Sequence, residues 1–432
     1  SKQIADMTKK LLFLLAFPFM GMAHAQTLGE CTRAAEKHYP QIRQYGLNEM
    51  TTNLTVANIA KGWLPQIATS AQVTYQTDVA TWPESMQGII QQLGVNIKGP
   101  SKTQYRVGVD IQQLVFDGGV LKSQQAVARS KGRAEIAQMD VSLYALRQRV
   151  HEMYFSLLLL SEQITLNNDL QTLLAANEQR LASMVKRGTA AECDWQSVKA
   201  EQLSAEQQGI TLKSQLQTLE HLLSLFCGIE VKHPQKPVLS TLRDQQTVER
   251  PELRAFESQL QVLGAQEKAI SSALRPKLGF FAQGFYGYPG YNMFEDMMHH
   301  RWSLNGMVGA NLVWNLSAFY SWKTDKCKIQ QQREMIENNR QTFLFNNQLQ
   351  QTETKENMKR FRELMNSDEA LLQLRTAVRK AGESKLSSGI IAVSDLLRDI
   401  NAENAARVQE TIHEIEWLKQ VHQQYITLGI DE

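Results

Sequence analysis

Six consecutive residues, Glu295-Asp296-Met297-Met298-His299-His300, bring carboxylate, thioether and imidazole donors together. That set would suit a soft or borderline metal such as copper. The competing reading is a polar loop without a ligand, preferred because the stretch falls between two strand-like runs. His38, His151 and His221 stand on helix-like segments with no second ligand at i+3 or i+4, and read as solvated or packed. The chain has no phosphate-binding loop, no G-x-S-x-G, no H-E-x-x-H and no C-x-x-C, and its carboxylates are unclustered. No enzymatic activity, catalytic residue, cofactor or metal ligand is therefore assigned.

The four cysteines do not form a framework either. Cys193 and Cys227 fall on one helix-like run, about 50 Å apart at helical rise, and cannot pair there. Cys31 and Cys227 would meet only if two helix ends do; isolated, partly buried thiols are the preferred reading. Leu28-Gly29-Glu30-Cys31 superficially resembles a lipidation site, but the Glu before the Cys and its distance from the apolar N-terminal stretch argue against one.

What must position side chains in a chain without a catalytic cluster is architecture. At 432 residues the chain exceeds one ordinary core, and 21% charged residues with few Gly and Pro exclude a disordered or collagen-like polymer. Its mean hydropathy of −0.35 argues against a helical membrane bundle. Lys9-Lys10, the apolar stretch Leu11 to Met20 and Ala23-His24-Ala25 read as a secretory signal peptide over residues 1–25. The apolar stretch is too short, and interrupted by Pro18, for a membrane anchor. Cleavage would remove Lys2, Lys9, Lys10 and Asp6, bringing the formal charge of +2 to zero, which gives no support to nucleic-acid binding.

The chain is internally duplicated. Tyr39-Pro40-Gln41-Ile42 returns as Arg250-Pro251-Glu252-Leu253, and Leu64-Pro65-Gln66-Ile67 as Arg275-Pro276-Lys277-Leu278, both at an offset of 211 residues. Leu114-Val115-Phe116-Asp117-Gly118 has its counterpart in Leu312-Val313-Trp314-Asn315-Leu316. Gly188 precedes Asp194 by six residues, as Gly389 precedes Asp395. Four landmarks in one order point to a repeat.

The first repeat, 26–249, is expected to hold a helix over 29–64, strands over 66–80 and 104–116, a long helix over 119–186, a helix over 192–226 and a linker over 228–249. The second, 250–432, is expected to hold a helix over 251–274, strands over 278–288 and 302–314, a long helix over 318–387 and a helix over 391–428. Tyr105, Val107, Val109 and Ile111 alternate onto one strand face, as do Trp302, Leu304, Val308 and Leu312. Trp82, Trp302, Trp314, Tyr288 and Tyr291 fit interfacial anchors at strand ends, with ordinary packing as the alternative.

Lengths then constrain the assembly. A helix of about 68 residues spans roughly 100 Å, and two shorter helices end to end match each long one, as in a cylinder walled by coiled coils. Four antiparallel strands cannot close a membrane barrel, since the smallest need about eight, and an open edge in lipid is prohibitive. Strands that cross a membrane must therefore be pooled from several chains, and three chains would supply twelve.

These landmarks, taken in order, resemble the TolC-like outer-membrane efflux protein family over nearly the whole mature chain. Val115-Phe116-Asp117-Gly118-Gly119, the four proline motifs and the two Gly-to-Asp turns carry the resemblance. It implies a mostly α protomer with a small membrane β part, trimerising into a 12-stranded β-barrel continuous with a periplasmic α-helical barrel in the Gram-negative outer membrane. It also implies a passive exit duct of a tripartite efflux or type I secretion system. The partners would be a periplasmic adaptor (membrane fusion protein), an inner-membrane pump of the RND, ABC or MFS type, and outer-membrane lipid.

By the same resemblance, the turns Arg187-Gly188-Thr189 and Ser388-Gly389-Ile390 are adaptor-docking tips. The family's acidic constriction maps to Asp395, while its second acidic position is Arg398 here, beside Asp399. A mixed Asp395, Arg398 and Asp399 periplasmic gate is expected; the alternative is a solvated helix start with Asp395 favoured by the helix dipole. The rival function is a periplasmic coiled-coil scaffold or adhesin without a pore.

Overall fold

The computed structural model describes residues 27–94, 99–232, 234–237 and 248–430. The expected signal peptide lies outside the described residues, as does part of the 228–249 linker. Nine α-helices and four strands run through the described residues: α1 Leu28–His38, α2 Arg43–Ala60, β1 Gln66–Tyr75, α3 Glu84–Gln92, β2 Thr103–Phe116, α4 Val120–Lys186, α5 Glu192–Cys227, α6 Pro251–Ser272, β3 Lys277–Tyr288, α7 Met293–Met298, β4 Ser303–Val313, α8 Ala318–Ser387 and α9 Val393–Leu428. They form two compact units, each drawing on both repeats. One holds the stretch through Arg43 with Asp140–Pro251 and Phe343–Glu432; the other holds Gln44–Met139 and Glu252–Thr342.

The helix expected over 29–64 is two helices. Tyr39 takes an extended backbone (ψ 129°) because Pro40 disfavours the helical state of the residue before it, and a 3-10 turn at Pro40–Ile42 separates the two. The strand expected over 66–80 stops at Tyr75, and short helices α3 and α7 fall where only loops were expected.

In the unit holding Gln44–Met139 and Glu252–Thr342, the four strands form one antiparallel sheet in the order β1-β2-β3-β4. β2 pairs with β3 as well as with β1, so the two hairpins join across the repeat boundary. Strand-to-helix junctions are built from side chains that satisfy backbone. Asp117 caps α4, its carboxylate accepting the N–H of Gly119 (2.8 Å) and of Leu121 (2.6 Å). Gly118 has φ +71°, and a Cβ there would lie 2.6 Å from Cβ of Arg275, so only glycine fits. The two repeats share a second joint: Gln113 Nε2 donates to the Trp63 carbonyl (2.9 Å), and Trp314 Nε1 donates to the equivalent Leu274 carbonyl (2.9 Å).

The other unit carries two apolar cores. One gathers Leu28, Cys31 and Ala35 of α1, Val150, Tyr154, Phe155 and Leu158 of α4, Leu223 and Cys227 of α5, and Ile415 and Leu418 of α9. The second packs Leu174 and Leu181 of α4, Val198 and Ala205 of α5, Leu386 of α8, and Val393, Leu396 and Ile400 of α9. That second core holds the two helical hairpins together beside their turns.

Candidate functional site

The sheet register puts seven of the eight expected lipid-facing side chains on one face, and ring contacts place the eighth, Trp302, beside them. Tyr105 lies opposite Tyr288, Val107 opposite Tyr286 and Ile111 opposite Ala282; across the next ladder Tyr286 pairs with Leu304, Ala282 with Val308 and Leu278 with Leu312. Trp302 stacks on Tyr105 at 5.8 Å between ring centroids and tilts against Tyr286 at 5.3 Å. Leu304 is 82% and Val308 81% exposed, values that no folded core would leave uncovered. Ile67, Val73, Tyr75, Phe280 and Tyr286 belong to the same exposed face. Sequence reading missed them, although their period-2 spacing was the available signal.

The opposite face is more polar, with Gln66, Gln72, Arg106, Asp110, Gln283, Asn305 and Asn311. There the Arg106 guanidinium lies 4.0 Å from the Phe285 ring centroid. Glycines make room for rings on this side: a Cβ on Gly309 would lie 2.6 Å from Phe281. The sheet has one apolar and one mixed face, with β1 and β4 as its edges.

The segment beside it that carried metal-type donors is a brace. Asp296, buried, accepts the Gly290 N–H at 2.5 Å; Glu295 pairs with Arg301; His300 Nε2 meets the Gly99 carbonyl at 3.3 Å. Tyr288 is buried with its hydroxyl between Ser101 N–H and the Asp296 carbonyl (both 3.2 Å), so it packs inside the loops rather than anchoring at an interface. Among the described residues no group of three or more His, Cys, Asp or Glu is arranged to hold a metal.

Both helical hairpins turn by the same device. Gly188 (φ +74°) donates to Val185 O and Thr189 N to Met184 O, both at 2.9 Å. Gly389 (φ +70°) donates to Leu386 O and Ile390 N to Lys385 O, again at 2.9 Å. These are Schellman closures, which satisfy the last carbonyls of α4 and α8. A Cβ at either glycine would meet nothing within 4 Å, so the turns are open to the outside, and Ile390 is 70% exposed.

Just past the second turn, Asp395 and Arg398 form an i,i+3 ion pair (3.2 Å) on α9, with Arg398 exposed and Asp395 half-buried. Asp399 does not join them: its Oδ2 lies 3.2 Å from where a Cβ on Gly382 would sit, turned toward α8. One helical turn further, sequence reading missed the more consequential group. Glu403, buried, accepts Thr376 Oγ1 (2.9 Å), Arg407 Nη2 (2.8 Å) and Arg379 Nε, while Arg379 Nη1 donates to Glu383 (2.8 Å). Burial works to raise the Glu403 carboxyl, but hydrogen bonds from Arg407, Arg379 and Thr376 outweigh it and hold it below the usual carboxylate range. Arg379 is raised in turn: burial opposes, and Glu403 and Glu383 outweigh it. The i,i+4 spacing of Arg379 with Glu383 and of Glu403 with Arg407 was the signal that could have found this group; the cross-helix bonds come only from packing.

Three comparisons bear on these features. Residues 32–228 match the model of the outer membrane efflux protein family, the resemblance drawn from the landmarks. A comparison with curated proteins by sequence returns no match. Among solved structures the chain is similar to the outer membrane protein VceC of Vibrio cholerae, at 12% identity and a TM-score of 0.67, covering 93% of this chain and 96% of that one. It is similar to CusC (13%, 0.66, 93% and 92%) and to the open state of the outer membrane channel MtrE of Neisseria gonorrhoeae (14%, 0.63, 94% and 89%). At these identities the likeness is one of fold: a mostly helical chain with a four-stranded antiparallel sheet.

Proposed function

From that fold and family match, we propose that this chain is an outer-membrane efflux channel, the passive exit duct of a tripartite efflux or type I secretion system. The observation that carries the reading is the sheet. Its apolar face is exposed along the strands, while β1 and β4 leave edges that lipid cannot satisfy. Three copies placing β4 of one against β1 of the next would close twelve strands, with the aliphatic and aromatic face in lipid and the mixed face lining water.

The remaining roles follow. The Gly188 and Gly389 turns offer a periplasmic adaptor a rigid, open surface, and an inner-membrane pump supplies the energy. Asp395 and Arg398, paired at the start of α9, place both signs of charge at the gate, with Asp399 acting as a helix-packing residue behind them. Nothing in this scheme requires a catalytic residue.

The test is assembly and conductance. Protein extracted from outer membranes with detergent should run as a heat-sensitive trimer and open discrete channels in planar lipid films. A monomer released without detergent and silent in those films would overturn the proposal in favour of a scaffold without a pore. Replacing Gly188 and Gly389 together by bulky residues should abolish crosslinking to the adaptor while trimers persist; unchanged crosslinking would remove the docking role.

A further inference from the structure

Cys31 and Cys227 stand 196 residues apart in sequence, yet meet in one core, 0% and 2% exposed. The Cys227 thiol reaches the Cys31 carbonyl at 3.4 Å, and both are thiols in this structure. The approach is fixed by more than the sulfurs. The Tyr39 and Phe226 rings lie 5.8 Å apart, and a Cβ on Gly228 would fall 2.3 Å from the His38 ring, so the C-terminal end of the helix that carries Cys31 is pinned to the residues flanking Cys227. The neighbouring sulfur pushes the Cys31 thiol up and the Cys227 thiol down. The separated, unpaired thiols expected from sequence are thus a facing pair at the meeting of two helix ends.

We propose that Cys31 and Cys227 are joined by a disulfide that staples α1 to the C-terminal end of α5. The inference rests on the export reading above, because a thiol pair survives reduced in the cytoplasm and oxidises in an envelope compartment. Two thiols give one disulfide with loss of two protons and two electrons, and the acceptor is an envelope protein carrying a reactive disulfide. One cysteine thiolate attacks that disulfide, forming a mixed disulfide and releasing one thiol of the oxidant. The second cysteine then displaces the other, leaving the acceptor as a dithiol. The exchange precedes closure of the core, since both sulfurs are afterwards inaccessible. The staple would tie the start of the described chain to the end of a hairpin, where a helix of 11 residues has little stability of its own.

The test uses the wild-type chain from cells, quenched in acid, denatured and alkylated without reductant, then digested for mass analysis. Cys193 and Cys327, both exposed, serve as internal controls and should be alkylated. The expected result is loss of alkylation at Cys31 and Cys227, with their two peptides recovered as one species lighter by the two hydrogens lost. Sequencing the N-terminus of the same sample reads export separately. A chain beginning after Ala25 with both core cysteines alkylated like Cys193 overturns the disulfide and leaves export standing. A chain retaining residues 1–25 in the cytosolic fraction, with all four cysteines alkylated, overturns the export reading and the disulfide with it.

Discussion

The sheet and the hairpin turns solve opposite problems. Around the turns the chain satisfies itself: Schellman closures take up the last carbonyls, an apolar core holds four helix ends, and Glu403 has three donors. In the sheet the chain leaves itself unfinished, with leucine and valine in the open on one face and two edges unpaired by its own strands. The difference teaches where partners belong. A region with its polar and apolar needs met can dock reversibly, whereas a region with neither met must assemble permanently or aggregate.

Substitutions that break this contrast should rank accordingly. On the proposed trimeric barrel, Val308→Arg should cost about 2–4 kcal/mol per chain if placed at mid-bilayer depth, counted three times. Trimers should vanish from the outer membrane while circular dichroism of the refolded chain stays helical. Glu403→Ala, which strips Arg379 and Arg407 of a buried partner, should cost about 3 kcal/mol, read as a lower unfolding temperature of assembled trimer.

The same carboxylate predicts an acid limit. Its folded value lies below the unfolded one, so its stabilisation is whole above the ordinary glutamate value of about 4.3 and drains away as pH falls through the folded value. Thermal unfolding should show an acid-induced drop in the wild type, and Glu403→Gln should flatten it. Gly389→Ala meets no steric obstacle but must hold φ near +70°, which costs roughly 1–2 kcal/mol; trimers should form normally. Smallest in stability is Asp395→Ala, because an exposed ion pair contributes about 1 kcal/mol at most. Its effect should appear instead in single-channel conductance with and without divalent cations, and identical traces would remove Asp395 from the gate.

Sequence made the periodic parts legible. Alternation picked out one face of β2 and β4, and the long uninterrupted helical patterns were drawn to within a residue or two of α4 and α8. Proline disfavours the helical state of the residue before it at Pro40 as at Pro65, so the break inside the helix expected over 29–64 was legible from Pro40. Helices of nine and six residues, α3 and α7, are too short for a 3.6-residue period to register. The Glu403 cluster was not legible, and the meeting of Cys31 with Cys227 was only one of two open readings, for a different reason. Each joins helices through contacts fixed by packing, and no local spacing encodes which carboxylate will find which guanidinium.

At the junctions that follow Trp63 and Leu274, two exposed joints accept a hydrogen bond from unlike donors, an amide in one repeat and an indole in the other. What is held constant there is an oxygen that has to be answered, and any side chain long enough to answer it will serve. Drift is therefore cheap in letters and costly only in unanswered atoms. That asymmetry lets the fold persist against VceC, CusC and MtrE when about seven residues in eight have changed.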